Sequence, residues 1–308
     1  ETGDVAIAPW GIWITTPRVS DNEARVEVRV TVQNSRQQRV GARLYGAVLD
    51  AAGESAATIE DDVEIPAGGE ETVVLAVGIA APQLWSPESP TLYALQLQLT
   101  VDGTPADQVV ESFGLRSFSF DAEHGFRLNG TARTMKGVCL HHDLGCLGSA
   151  FFAAGWERRL RQLKEIGCDA VRTSHNIPAA GFLDLCDRLG ILVIDEAFDK
   201  WWEGCSGEYF EDWWQRDIEA LVCRDRNHPC VIVWSIGNEV EQQGSARMLQ
   251  TSRMLADYVK ELDPTRPTLV ALRPHENDAE LWASPPETKA AIVKQVADTV
   301  DIVGLNYQ

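Results

Sequence analysis

The chain has 308 residues, 44% hydrophobic and 24% charged, with 27 Lys and Arg against 46 Asp and Glu for a net charge of -19. That length suits two domains of about 100–200 residues each, and the composition excludes disorder, collagen and coiled coil as global descriptions. No apolar run approaches the roughly 18 residues of a membrane-spanning helix. The acidic balance argues against nucleic acid and anionic membrane, since both need a basic face, and a neutral partner such as a sugar fits better.

The opening Glu1-Thr2-Gly3-Asp4 has no Met, is not a signal peptide and runs straight into a strand pattern. The natural N-terminus is therefore expected upstream. This leaves open whether the location is cytoplasmic or periplasmic and secreted. Arg25–Val32 alternates polar and apolar with period two, and Val40–Leu49, Thr72–Val77 and Leu92–Leu99 are further strand candidates, the last ended by the turn pair Asp102-Gly103. Trp85-Ser86-Pro87 lies in a Pro-rich connection and reads as a packing anchor. Short strands between Gly, Pro, Asn and Asp predict an antiparallel sandwich over residues 1–117, a stretch without Lys or Cys. The Cys-Trp-Cys signature of antibody domains is missing from it.

From residue 118 onward, strand and helix alternate. Strands are expected over Thr134–Cys139, Asp169–Thr173, Ile191–Asp195, Val231–Ser235, Thr268–Leu272 and Asp301–Leu305. Between them, helical spacing marks Trp156, Leu160, Leu163 and Ile166, then Phe182, Leu185, Cys186 and Leu189 before Gly190. Ile218, Leu221 and Val222 mark a third helix, and Met248, Leu255, Tyr258, Val259 and Leu262 a fourth. Such alternation predicts a parallel sheet covered by helices, either open or closed into a barrel. No glycine-rich phosphate loop follows the first strand, which disfavours an open dinucleotide-binding sheet. Polar groups instead follow most strands: His141-His142-Asp143, Ser174-His175-Asn176, Asp195-Glu196, Asn238-Glu239 and Asn306-Tyr307. Active-site groups on the C-terminal ends of many strands are the pattern of a (β/α)8 barrel. Only six strands are legible before Gln308, whereas a barrel needs eight in about 250 residues. The natural protein is therefore expected to continue beyond Gln308.

The seven cysteines all lie between Cys139 and Cys230 and form no C-x-x-C pair, so buried thiols are expected rather than a zinc ribbon. Neither H-x-x-x-H nor H-E-x-x-H occurs, and no metal or other cofactor is expected. Glu239, just past an apolar strand, is the leading catalytic candidate. Partial desolvation there is expected to raise its pKa, as a general acid needs. The plainer alternative is a helix-start Glu favoured by the helix dipole. The Asn238 amide can donate to a sugar hydroxyl. His141 and His175 face one mouth from neighbouring strand ends, or else are structural. Arg172 is expected to pair with a carboxylate. Asp195 and Glu196 could flank Glu239, or simply form a polar strand end. Trp201-Trp202 could stack on sugar rings, and Trp213-Trp214 read as outer-layer packing.

Several stretches together resemble the β-galactosidase, β-glucuronidase and β-mannosidase family, glycoside hydrolase family 2. They are Phe113-Gly114-Leu115-Arg116, Phe126-Arg127-Leu128-Asn129-Gly130, Lys136-Gly137-Val138, Arg172-Thr173-Ser174-His175-Asn176, Asp195-Glu196-Ala197-Phe198-Asp199, Arg226-Asn227-His228-Pro229, Trp234-Ser235-Ile236-Gly237-Asn238-Glu239 and Asp301-Ile302-Val303-Gly304-Leu305-Asn306-Tyr307. The resemblance covers essentially the whole chain. It implies a multidomain fold: an immunoglobulin-like antiparallel β-sandwich over residues 1–117, then six of the eight strands of a (β/α)8 TIM barrel over residues 118–308. It further implies a retaining mechanism with Glu239 as acid/base and Asn238 on the sugar 2-hydroxyl. His141 and His175 would hold sugar hydroxyls, and Arg172 and Tyr307 would position the nucleophile. That nucleophile would be a Glu on a seventh strand, and a further sugar-binding domain would precede residue 1. Lys200 and Trp202 stand where metal-binding members carry acidic and His residues, so no magnesium site carries over. β-Galactosides are the expected substrates and β-glucuronides the runner-up. A sugar-binding protein without catalysis is the rival of another class, and a homo-oligomer is left open.

Overall fold

A computed structural model describes residues 3–204, 207–273 and 285–307. Glu1, Thr2 and Cys205, which figured in the reading of the sequence, lie outside the described residues. The chain divides into two compact units. The first comprises residues 1–134 with the short segments Asp187–Gly190 and Arg226–Pro229.

The first unit is antiparallel. Strands β1 (Val5–Val19), β2 (Glu23–Asn34) and β5 (Gly69–Ala80) form one sheet in the order β1-β2-β5. Strands β3 (Val40–Leu49), β4 (Ser55–Ile65), β6 (Tyr93–Val101) and β7 (Thr104–Phe113) form a second, ordered β4-β3-β6-β7. Alternation builds the core between them. Val26, Val28, Val30 and Val32 of β2 and Leu95, Leu97 and Leu99 of β6 point inward and are fully or almost fully buried, while the residues between them are half-buried or exposed. A small sheet of β8 (Phe118–Asp121), β9 (Gly125–Leu128) and β10 (Thr131–Ala132) completes the unit. The Arg-Asn-His-Pro stretch has a structural task here. Asn227 accepts from the Ile14 N–H at 2.8 Å and donates to the Ile12 carbonyl at 2.9 Å, so its amide stands in for a strand partner on the edge of β1 that β2 does not cover. Trp85 is a fully buried anchor, as expected, and its indole N–H donates to the Asp187 carbonyl at 2.9 Å.

The second unit is a curled sheet of six parallel strands in sequential order. They are β11 (Gly137–His141), β12 (Ala170–Ser174), β13 (Leu192–Glu196), β14 (Val231–Asn238), β15 (Thr268–Leu272) and β16 (Ile302–Leu305). Helices α1 (Ala153–Glu165), α2 (Ala180–Leu189), α3 (Gly207–Asp225), α4 (Ala246–Leu262) and α5 (Pro286–Ala297) connect them. The arrangement is an incomplete TIM barrel. Every residue of β14 is buried, as a strand covered on both faces requires. Gly190 ends α2 with φ 66°, and the Ser245 hydroxyl caps α4 by accepting from the Met248 N–H. At the opposite end of the sheet from the polar strand termini, Asp263 and Arg266 form a buried ion pair at 2.6 Å. Asp263 also accepts from the Trp234 indole at 3.0 Å, and Arg266 donates to the Val231 carbonyl at 2.8 Å. No disulfide forms among the six described cysteines.

Candidate active site

The polar groups after the parallel strands converge on Glu239. The main chain there is held from both sides. The Asn238 N–H donates to the Asp199 carbonyl at 2.8 Å, and the Glu239 N–H donates to the Ala271 carbonyl at 2.7 Å. Between these anchors Glu239 adopts φ 50°, in the left-handed region. Such backbone persists where its surroundings over-determine it, and it clusters at working sites.

The Glu239 side chain is 6% exposed. Its Oε1 accepts from Asn306 Nδ2 at 2.8 Å, while Oε2 lies 3.2 Å from Arg273 Nη1 and 3.6 Å from Lys200 Nζ. Burial pushes this carboxyl up. The hydrogen bonds from Asn306 and Tyr307 and the charges of Lys200 and Arg273 outweigh burial, so the carboxyl sits below its usual range. This corrects the expectation of a raised pKa: the desolvation is present, but the surrounding donors reverse its sign. The carboxylate already carries an ammonium and a guanidinium, so a divalent cation placed on it would meet two like charges.

Asn238 is buried, with both ends of its amide engaged. Oδ1 accepts from Arg172 Nη2 and from Asn306 Nδ2, each at 2.9 Å. Nδ2 donates to Asp199 Oδ1 at 2.9 Å and lies 3.4 Å from His175 Nε2. One N–H is thus committed to Asp199, and the other has only a long contact that a substrate hydroxyl would improve on.

Behind Asn238 stands Glu196, fully buried. Arg172 grips its Oε2 through Nε at 2.8 Å and Nη2 at 2.5 Å, Ser235 Oγ donates to the same oxygen at 2.5 Å, and His175 Nδ1 meets Oε1 at 2.5 Å. Arg172 therefore pairs with a carboxylate as expected, and its partner is Glu196. Asp195 alternates to the other face, where Thr173 Oγ1 donates to it at 3.2 Å. Burial, reinforced by the neighbouring Asp225 carboxyl, pushes Asp195 well above the carboxylate range. Glu196 is engaged on both oxygens, and Asp195 lies on the other face of the strand from Glu196.

His141 is exposed and joins the cluster through its ring, edge-on to His175 at 5.3 Å between centroids. Tyr307 is 68% exposed, with φ 58°. Trp201 is wholly buried: its indole donates to the Ile236 carbonyl at 2.7 Å, and Gly237 leaves the room it occupies. The Trp202 ring is covered by the Arg247 guanidinium at 4.2 Å and by Trp201. Of this pair, Trp201 thus forms part of the core and presents no face to a sugar. Trp214 packs edge-on against Tyr258, as outer-layer packing requires, whereas Trp213 is 47% exposed.

The structure adds residues that sequence reasoning left unassigned: Asp199, Lys200, Arg273 and Asn306. Arg273 had a usable signal, since it follows the fifth strand directly, the one strand end at which no polar group had been noted. Asn306 had been seen beside Tyr307 but given no role.

Residues 122–294 match the family profile described as glycosyl hydrolases family 2, TIM barrel domain, and residues 6–116 match glycosyl hydrolases family 2. The chain is 34% identical over its whole length to the β-galactosidase BoGH2A of Bacteroides ovatus, covering 39% of that protein. It is 30% identical to a β-glucuronidase of Bacteroides fragilis, over 85% of this chain and 38% of the relative. Among solved structures, a glycosyl hydrolase family 2 member from Bacteroides cellulosilyticus superposes with TM-score 0.91 at 36% identity, over all of this chain and 40% of that one. The chain thus spans about two-fifths of the length of these relatives.

Proposed function

The chain belongs to glycosyl hydrolase family 2, and on that footing we propose that it carries the acid/base half of a retaining glycosidase that removes terminal β-linked sugars, β-galactosides foremost. The observation that carries this reading is Glu239: a buried carboxylate beyond the central strand, engaged by donors on both oxygens, beside Asn238. In the first step the Glu239 carboxyl protonates the glycosidic oxygen as the C1–O bond breaks and a second carboxylate bonds to C1. In the second step Glu239 takes a proton from water as that water attacks C1 and releases the ester. The spare N–H of Asn238 bonds the 2-hydroxyl, and His175, with His141 beside it, bonds other hydroxyls. Arg172 and Tyr307 position the second carboxylate. Retaining enzymes hold the two carboxyls about 5–5.5 Å apart. We assign the nucleophile to a Glu outside the described residues, because Glu196 is spent on Arg172, His175 and Ser235, and Asp195 faces away.

The test uses the intact enzyme with aryl β-galactoside, β-glucuronide and β-mannoside. Glu239→Gln is expected to lose activity most on poor leaving groups, by roughly 100-fold or more for loss of a general acid. Azide is expected to restore part of it on good ones. Normal turnover by this variant would sink the assignment. β-Glucuronides are the second reading, supported by the relative of that name; a faster rate on the glucuronide would select it. Silence of the wild type on every glycoside, with retained sugar binding, would favour a non-catalytic carbohydrate-binding protein.

A further inference from the structure

Two cations share one oxygen of Glu239. Arg273 Nη1 and Lys200 Nζ lie 3.2 and 3.6 Å from Oε2, and neither belongs to the residues that would touch the sugar in the reading above. Both are held in advance. Lys200 Nζ bonds Asp199 Oδ1 at 2.8 Å and reaches the Asn238 carbonyl at 3.4 Å. The main chain of Arg273 is clamped by the Gln243 amide, which donates to the Arg273 carbonyl and accepts from its N–H, each at 3.3 Å. Their side chains are 20% and 11% exposed, so solvent screens them weakly. They arrive from the segments after β13 and β15, on either side of β14, and they leave Oε1 to Asn306.

A general acid/base alternates between a neutral and an anionic form. Cations on its oxygen favour the anion, which makes the neutral form a stronger acid at the moment of proton transfer. We propose that Lys200 and Arg273 are positioning residues that set the proton affinity of Glu239 by holding its ionised state between proton transfers. The inference rests on the reading of Glu239 as acid/base. The other charged groups facing the site do not replace the pair. From β12, Arg172 and His175 are committed to Glu196 of β13. Asp199, after β13, offsets part of the Lys200 charge. His141 of β11 meets only the His175 ring among the contacts described, and Tyr307 beyond β16 donates a neutral hydrogen bond.

The experiment follows kcat/KM against pH in the intact enzyme. The basic limb marks the loss of the acid's proton, so removing a cation must move it upward. An opposite charge at this range shifts a carboxyl by about 1–3 units. Lys200→Met and Arg273→Met are each expected to raise the limb by about one pH unit, a tenfold change in protonated fraction above it. Lys200→Arg is expected to keep the limb in place, which a packing role would not require. An unmoved or lowered limb in a variant with wild-type melting behaviour overturns the proposal. If a variant turns over too slowly, a 13C-carboxyl titration of Glu239, assigned by its disappearance in Glu239→Gln, reads the same shift without catalysis. An unshifted titration is equally fatal. Normal turnover by Glu239→Gln would instead remove the acid/base reading while leaving the titration result standing.

Discussion

Glu196 shows how one buried carboxylate governs residues assigned to the proposed sugar site. Its buried carboxylate collects Arg172, His175 and Ser235, and Arg172 passes the constraint on to Asn238. Glu196→Gln keeps the shape but removes the charge opposite Arg172. Breaking a buried pair costs about 3–5 kcal/mol, so a marked fall in melting temperature is expected, together with a fall in kcat/KM as Asn238 and His175 lose their register. Unchanged melting would show that Arg172 finds another partner. At this scale the strand-end positions of Arg172, His175, Asn238, Glu239 and Tyr307 were legible, because polar residues directly after apolar runs stand out. Two things were not. The facing of Asp195 against Glu196 depends on the strand's phase, which a run such as Ile-Leu-Val-Ile does not reveal. The sign of the Glu239 shift depends on Arg273, Lys200 and Asn306, which come from segments 34 to 67 residues away in sequence and which no local pattern ties to it.

Among the elements of the sandwich, those buried on alternating positions were readable, and two charged outer strands were not. Strands β2, β3 and β6 alternate cleanly and were found. β4 and β7 are the outer strands of their sheet. Their sequences, Ser-Ala-Ala-Thr-Ile-Glu-Asp-Asp-Val-Glu-Ile and Thr-Pro-Ala-Asp-Gln-Val-Val-Glu-Ser-Phe, carry the charge and Pro that protect exposed edges and dilute the strand signal. Helix α5 escaped notice because Val296 is its one fully buried residue, so it has almost no apolar stripe. The Asp263–Arg266 pair is an element-scale clamp that ties the end of α4 to the starts of β14 and β15. Burial raises the Asp263 carboxyl, but Arg266, Thr265 and Trp234 outweigh it and leave it below the usual range. A carboxyl depressed in the fold stabilises it above its unfolded pKa of about 3.9, and that stability is lost as pH falls through the folded value. Asp263→Asn is therefore expected to be less stable than wild type by about 3–5 kcal/mol at neutral pH. The gap should begin to close below about pH 4, where the unfolded carboxyl takes up its proton, and close fully only as pH falls through the lower folded value. Chemical denaturation at pH 7 and pH 3 checks it, and a pH-independent gap would contradict it.

Over the whole molecule, a sandwich followed by parallel strands was legible because the hydrophobic period changes from two residues to a strand-helix alternation near residue 118. Chemistry was legible only as a set of strand ends. The six parallel strands are also unequal, and the inequality sets an order in time. Every residue of β14 and β15 is buried, β12 and β13 each have one half-buried position, and β16 and β11 are half-buried to exposed along their lengths. Local opening follows such gradients of burial. In deuterium exchange of this 308-residue chain, amides of Val231–Asn238 are expected to exchange last and those of Gly137–His141 and Ile302–Leu305 first among the six. Glu239 then stands on the part of the sheet that opens least often, while His141 and Tyr307 hang from its fastest margins. A sugar bound as proposed should slow exchange around those two residues long before any change is measurable beside Glu239.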